Sequence, residues 1–246
     1  MPQDKARELA HARKILHNPA FYWNAGTRAG ETGSRRRADW VIRAAALAPG
    51  RRALEVGCGT GFFSERFIAA GAELHAIDIS PELLAKAVER CGQSRARFRL
   101  CDIERVPYPD NYFDAVVGIR VLHHLDLAAS FREIIRTLKP GGVIAFCEPN
   151  MLNPQIFIQK NVPAIKRWMG DTPDETAFLK WRLKRFLAGR GFAGIEIEPF
   201  DFLHPWVPPF LVRGVESLGG FMEKVPLVRE IAGSLSIRAH KRSGRE

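Results

Sequence analysis

Between residues 53 and 147 the chain alternates between two hydrophobic periods. Short apolar runs at Ala53–Val56, Glu73–Ile79, Ala96–Cys101, Phe113–Ile119 and Val143–Cys147 read as strands, and their near-continuous apolar character suits burial on both faces. Between them, Phe62–Ala70, Pro81–Arg90 and Leu127–Leu138 carry apolar residues every three or four positions, the helical period. Ser80 and Pro81 supply a cap and a preset first turn. Pro140-Gly141-Gly142 reads as the break before the fifth strand. The alternation predicts an α/β fold with a doubly wound, mostly parallel sheet covered by helices on both faces.

The flanks are less regular. Residues 4–18 look helical, Phe21-Tyr22-Trp23-Asn24 opens a Gly- and Arg-rich linker, and Arg37–Leu47 resumes a helical pattern that Pro49-Gly50 ends. Residues 151–175 read as an irregular, proline-containing insert, Ala177–Arg190 as a helix, and Ile195–Pro199 and Leu235–His240 as strands. Between those strands Val207, Leu211, Val215, Leu218, Met222 and Val225 form a stripe at helical spacing. That stripe suits a helix packed on the domain, or a lid or surface-dipping helix over an apolar acceptor. The expected organisation is a helical cap over residues 1–48 and one domain over 49–246, with inserts at 151–175 and 201–233 forming a pocket.

Of 246 residues, 46% are hydrophobic and 26% charged, a balance that excludes a disordered chain. No run approaches the ~20 apolar residues of a membrane span. The N-terminus is charged and lacks a signal-peptide apolar region, so a cytoplasmic protein is expected. Cys58, Cys91, Cys101 and Cys147 have no C-x-x-C pairing, which argues against a disulfide framework or a structural metal. The net charge of +10 serves solubility, or concentrates anions such as nucleic acid, acidic lipid or an anionic substrate. Its basic residues are spread over Arg35-Arg36-Arg37, Arg95/Arg97/Arg99, Lys180–Arg185 and Lys241-Arg242, so they define no single groove.

Chemistry concentrates in ALEVGCGTGFF, residues 53–63. A strand runs into Gly57-Cys58-Gly59-Thr60-Gly61 and on into a helix, where glycines permit a tight turn and close approach of a ligand. Asp78, about twenty residues on at the end of the second strand, stands where a carboxylate accepts ribose hydroxyls. A dinucleotide fingerprint wants a small residue at its sixth position; Phe62 stands there, which opposes a nicotinamide-dependent oxidoreductase.

With these residues the chain resembles the class I S-adenosylmethionine-dependent methyltransferases. The resemblance rests on Glu55–Gly61, Ala76–Ser80, Cys101-Asp102-Ile103, Asn111–Asp114, Val121–Leu125 and Leu138–Gly142, which cover roughly residues 50–150 in the family's order. It implies a seven-stranded Rossmann-like sheet, S-adenosyl-L-methionine as cofactor and S-adenosyl-L-homocysteine as product. By the same resemblance, Glu55 and the turn Gly57, Cys58, Gly59 and Gly61 surround the methionine part. Asp78 binds the ribose, Ile79 and Asp102 meet the adenine with Ile103 beside it, and Arg120 faces the methionine end. Tyr22 and Trp23 either close over the cofactor or pack in the core.

His123 and His124 follow the fourth strand beside the expected methyl position. An imidazole there suits deprotonation of a phenol, hydroxyl or activated carbon; equally, one of the pair supports the loop. Glu148 either holds a histidine in one tautomer, bonds a substrate hydroxyl or caps a turn. The Asn/Asp-Pro-Pro-aromatic motif typical of nucleic-acid base methylation is absent, Gly118–His123 occupying its place, which opposes a nucleic-acid partner. The expected activity is in-line methyl transfer to an oxygen, or to carbon or nitrogen, of a small or lipid-like acceptor. Peripheral contact with an anionic membrane is expected alongside. An RNA or protein methyltransferase, or a catalytically silent cofactor-fold binding protein, is the alternative.

Overall fold

The computed structural model describes residues 5–17, 26–92, 96–172 and 175–243. Seven strands form one sheet in the order β3-β2-β1-β4-β5-β7-β6. These are β1 (Arg52–Val56), β2 (Glu73–Asp78), β3 (Ala96–Leu100), β4 (Phe113–Ile119), β5 (Leu138–Pro149), β6 (Phe192–Phe200) and β7 (Ser234–Lys241). The first five pair in parallel, whereas β7 runs antiparallel to both β5 and β6. The doubly wound α/β reading therefore holds, with one reversed strand.

Period-two alternation divides the core between the two faces of the sheet. Leu54, Val116, Ile144 and Phe146 pack on one side, beneath α5 (Leu127–Thr137) and α8 (Lys180–Ala188). Ala53, Val117, Val143 and Ala145 pack on the other, beneath α2 (Arg28–Ala44) and α3 (Ser64–Ala69). Phe131 on α5 meets Phe186 and Phe192 edge-on at 5.3 and 5.9 Å. Burying each such side chain contributes about 1.5–3 kcal/mol. Of the remaining helices, α1 (Lys5–His17) precedes the sheet and α4 (Pro81–Cys91) links β2 to β3. The Ser80 hydroxyl caps α4 by accepting from Leu83 N at 3.2 Å.

Four sequence expectations need correction. Helix α2 starts at Arg28, not Arg37, because Thr27 caps it through Gly30 N. Gly33 sits there against the Arg37 guanidinium, so tertiary packing overrides the low helix propensity of glycine. Strand β5 runs through Pro140-Gly141-Gly142 rather than starting after them, and a register shift between Phe113 and Ala115 absorbs the irregularity, as a bulge does. The 151–175 insert contains two helices, α6 (Pro154–Asn161) and α7 (Pro163–Trp168). Both prolines stand at first helical positions, where they start helices instead of breaking them. The long apolar stripe resolves into α9 (Val212–Met222) and the short α10 (Pro226–Arg229). Its inner face is Val212, Val215 and Gly219, while Leu211 and Leu218 point outward. No helix among the described residues is long and apolar enough to cross a membrane.

Candidate active site

The carboxyl ends of β1, β2 and β4 open onto a cavity of about 160 Å³. Its floor is the glycine turn after β1. Gly57 and Gly59 adopt φ of 67° and 55°, and a Cβ on Gly57 would stand 2.4 Å from Val121 Cγ2, so no other residue fits. Asp78 fixes the turn: its Oδ2 accepts from Gly59 N at 2.8 Å and its Oδ1 from Ser80 N at 2.9 Å. Burial raises the pKa of Asp78, against those backbone hydrogen bonds. Ile79, Ile103 and Arg120 also line this cavity, and Glu8 and Ala12 of α1 wall it.

Four other expected residues lie behind or beside the cavity. Cys58 packs with Ala76 and Ala87, and burial pushes its thiol far above the ordinary range. Gly61 lets α4 approach, since a Cβ there would come within 2.9 Å of Ala87 Cα. Asp102 accepts from Glu104 N at 2.9 Å and pairs with Lys5 at 2.5 Å, so α1 engages the carboxylate assigned to adenine. Glu55 is fully enclosed beneath the turn, its Oε2 without a hydrogen-bond partner. Burial and the neighbouring Asp78 raise its pKa to about 8. Tyr22 and Trp23 lie outside the described residues.

A second cavity, about 610 Å³, adjoins the first. It is walled by α6, by Phe202–Trp206 and by Glu175, and it shares only Arg120 and His124 with its neighbour. Arg120 takes a left-handed φ of 56°, uncommon for a side chain of this size. Enclosure lowers its pKa to about 10. Among the described residues its guanidinium has no ion-pair or hydrogen-bond partner; it faces cavity space.

Beside this junction, His123 Nδ1 stands 2.6 Å from Glu148 Oε2. Glu148 Oε1 accepts from Val121 N and Leu122 N, each at 2.8 Å. A carboxylate held by two amides takes its third bond from Nδ1–H, which directs the basic lone pair to Nε2. Burial, then the adjacent His124, lowers the pKa of His123. Burial also opposes the charge on His124, yet Glu8, Glu175 and Glu148 together raise its pKa. Glu8 Oε2 lies 3.0 Å from His124 Nδ1. Two adjacent imidazoles are thus pushed in opposite directions, an arrangement that separates acid from base.

His123, His124 and Glu175 also place ligand atoms within 4.8 Å of one another. Lys160 Nζ already stands 2.5 Å from Glu175 Oε1 and 2.9 Å from Asp171, so an ammonium fills the role of cation there. Sequence reasoning missed Lys5, Glu8, Arg37, Lys160, Glu175 and Asp201. None carries a local motif, and each reaches the site through contacts remote in sequence. Arg37, for example, pairs with Asp201 across 164 positions, both side chains buried.

Residues 54–146 match the model of a methyltransferase domain family. The chain is 32% identical over 167 residues to a demethylmenaquinone methyltransferase of Parafrankia sp. (strain EAN1pec). That match takes in 56% of this chain and 65% of the relative, less than two thirds of its length. Among solved structures, the [4+2]-cyclase SpnF superposes with a TM-score of 0.63 at 26% identity, covering 91% of this chain and 87% of that one. The N-methyltransferase NodS of Bradyrhizobium japonicum WM9, solved with S-adenosyl-L-homocysteine, shares the fold at TM-score 0.63 and 17% identity, covering 95% and 97%.

Proposed function

We propose, from the premise that this chain belongs to the class I S-adenosylmethionine-dependent methyltransferase family, that it methylates a small amphiphilic molecule in the larger cavity. The observation that carries this reading is the junction of two unequal cavities at Arg120 and His124. One is floored by a nucleoside-type turn, and the other has room for an acceptor. The inserts 151–175 and 201–233 supply most walls of the larger cavity, which supports reading it as the acceptor pocket.

The residues present fit the cofactor. Asp78 would take the ribose hydroxyls on its remaining lone pairs, and Ile79 and Ile103 would flank the adenine. Arg120, which lines both cavities, would face the carboxylate of the methionine end, and Glu55, enclosed beneath the turn, would bear on its ammonium from behind the glycines. When bound, S-adenosylmethionine supplies a methyl carbon activated by its sulfonium. The protein's part is alignment, where a near-attack geometry contributes up to about 7–11 kcal/mol. His123 is the better base: its lowered pKa keeps it neutral at pH 7, and Glu148 fixes its tautomer. His124, charged more readily, would position the loop and the acceptor oxygen. Oxygen is the first acceptor atom by this chemistry, with a phenol-activated carbon next.

The test is calorimetric titration of S-adenosylmethionine and S-adenosylhomocysteine into the wild type and Asp78→Ala. A pool of phenolic and quinol-type lipids is then assayed for S-adenosylhomocysteine release. Binding weakened tenfold or more by the substitution, about 1.4 kcal/mol, with acceptor-dependent release supports the reading. Cofactor binding without release from any acceptor would favour a non-methylating reaction in the same fold, the class to which the similar cyclase belongs. No binding at all would move the reading to a silent cofactor-fold protein.

A further inference from the structure

Among the described residues thirteen large apolar side chains are exposed, and eleven of them lie in residues 157–168 and 206–231. Soluble surfaces scatter such residues singly; a concentration of them marks an interaction face. Trp168, Phe210 and Leu227 are 69%, 81% and 86% exposed. The two segments adjoin: Asn153 at the start of α6 donates its Nδ2 to Ile231 O at 2.8 Å, just beyond α10. Lys180 at the start of α8 pairs with Glu230 at 2.5 Å.

The helices beside it are basic. Residues 154–168 and 180–190 together contain eight Lys or Arg and no acidic residue, of which Lys160 and Lys180 are paired to acids, while 206–231 carries three of each sign. Arg167, Arg182, Lys184 and Arg185 are exposed. Aromatic and aliphatic side chains set among basic residues are the composition of a protein face that rests on an anionic lipid surface. A second copy of the chain is a poorer occupant, because a self-complementary interface would bring two like-charged basic surfaces together. Trp206, 63% exposed, also lines the larger cavity, and Asn153 and Pro154 line it from α6. Trp206 therefore belongs both to the apolar region and to the cavity wall.

We infer that α6, α7 and the 206–231 segment form a docking face for anionic bilayers, through which a membrane-dissolved acceptor enters the larger cavity directly. The choice of what enters rests on the amphiphilic-acceptor reading above; the docking itself is measured without turnover.

The experiment is vesicle flotation of the full chain with phosphatidylcholine alone and with phosphatidylcholine–phosphatidylglycerol mixtures, at low and high salt. Two variants accompany the wild type: Trp168→Ser/Phe210→Ser/Leu227→Ser and Arg167→Glu/Arg182→Glu/Lys184→Glu. The wild type is expected to bind mixed vesicles at least about tenfold more tightly than neutral ones, with each variant weakened about tenfold or more. Unfolding midpoints and cofactor affinity should stay unchanged, since these side chains are exposed and remote from the glycine turn. No flotation of the wild type, or flotation that the apolar variant leaves intact, overturns the proposal. So does a dimer, or capture of an acidic protein, that the apolar variant abolishes while vesicles fail to bind. A cofactor titration on the same samples keeps the two readings apart: its failure sinks methyl transfer and leaves docking, and the converse holds.

Discussion

Replacing Glu55 by glutamine should stabilise the cofactor-free protein, and increasingly so as pH rises. Glu55 is buried with Oε2 unpartnered, and its pKa is raised from 4.5 to about 8. Between those two values the unfolded chain releases the proton while the folded protein keeps it, so wild-type stability falls as pH rises through this window. At 1.36 kcal/mol per unit, integration from about pH 5 to about pH 8 gives a loss on the order of 3 kcal/mol. Glu55→Gln has the same shape and nothing to titrate. Any fixed cost of the amide is constant with pH and cancels when the two pH values are compared. Urea unfolding of both proteins at the two ends of the window measures the difference directly. The stability gap should widen by about 3 kcal/mol, within a factor of two. Parallel pH profiles, or a gap that narrows, would refute a carboxyl held mostly neutral by burial under the glycine turn. Cations at the methionine end would favour the ionised form, so cofactor binding near neutral pH should release a proton, read as buffer-dependent heat.

Four further outcomes follow from the geometry. Gly57→Ala should abolish cofactor binding, because the new Cβ meets Val121 at 2.4 Å in a left-handed conformation; titration of the folded variant checks it. Glu148→Gln should lower kcat about a hundredfold or more with little change in KM, since one amide oxygen cannot serve both the backbone amides and His123; unchanged kcat would remove His123 from the chemistry. If His123 is the base, kcat should fall as pH drops below the ordinary imidazole range, because only the neutral form accepts a proton; a flat acid limb speaks against it. Arg37→Leu should cost about 3–5 kcal/mol by stranding Asp201 in the interior, and pairing it with Asp201→Asn should recover part of that in a thermal melt.

The sheet and its order of elements could be read from sequence because buried parallel strands are apolar on both faces and the glycine turn has a local cause. Phe113–Ile119 is bounded in the structure as the pattern placed it. Asp78 and the turn could likewise be found, since strand, turn and carboxylate follow one another along the chain. The errors share another origin. Gly33 looked like linker, yet its lack of a side chain admits Arg37 and Asp201, a contact set by residues far apart in sequence. The insert holding Pro154 and Pro163 looked irregular because the meaning of a proline depends on its position within a helix. Glu175 and Lys160 had no local signature, their roles arising only when the fold brings the Lys160 ammonium against the Glu175 carboxylate.

The sheet order has a consequence for how the chain is made. β6 has one neighbour, β7, and β7 comes after it in sequence. While residues 192–200 leave the ribosome they have no partner strand, and the open edge of β5 waits beside them. Both edges stay available to other chains until residues 234–241 emerge and slide between them. Synthesis stalled just short of β7 would release a species in which β5 and β6 both lack the strand that joins them. Chaperone demand and aggregation should therefore concentrate in that narrow interval of translation.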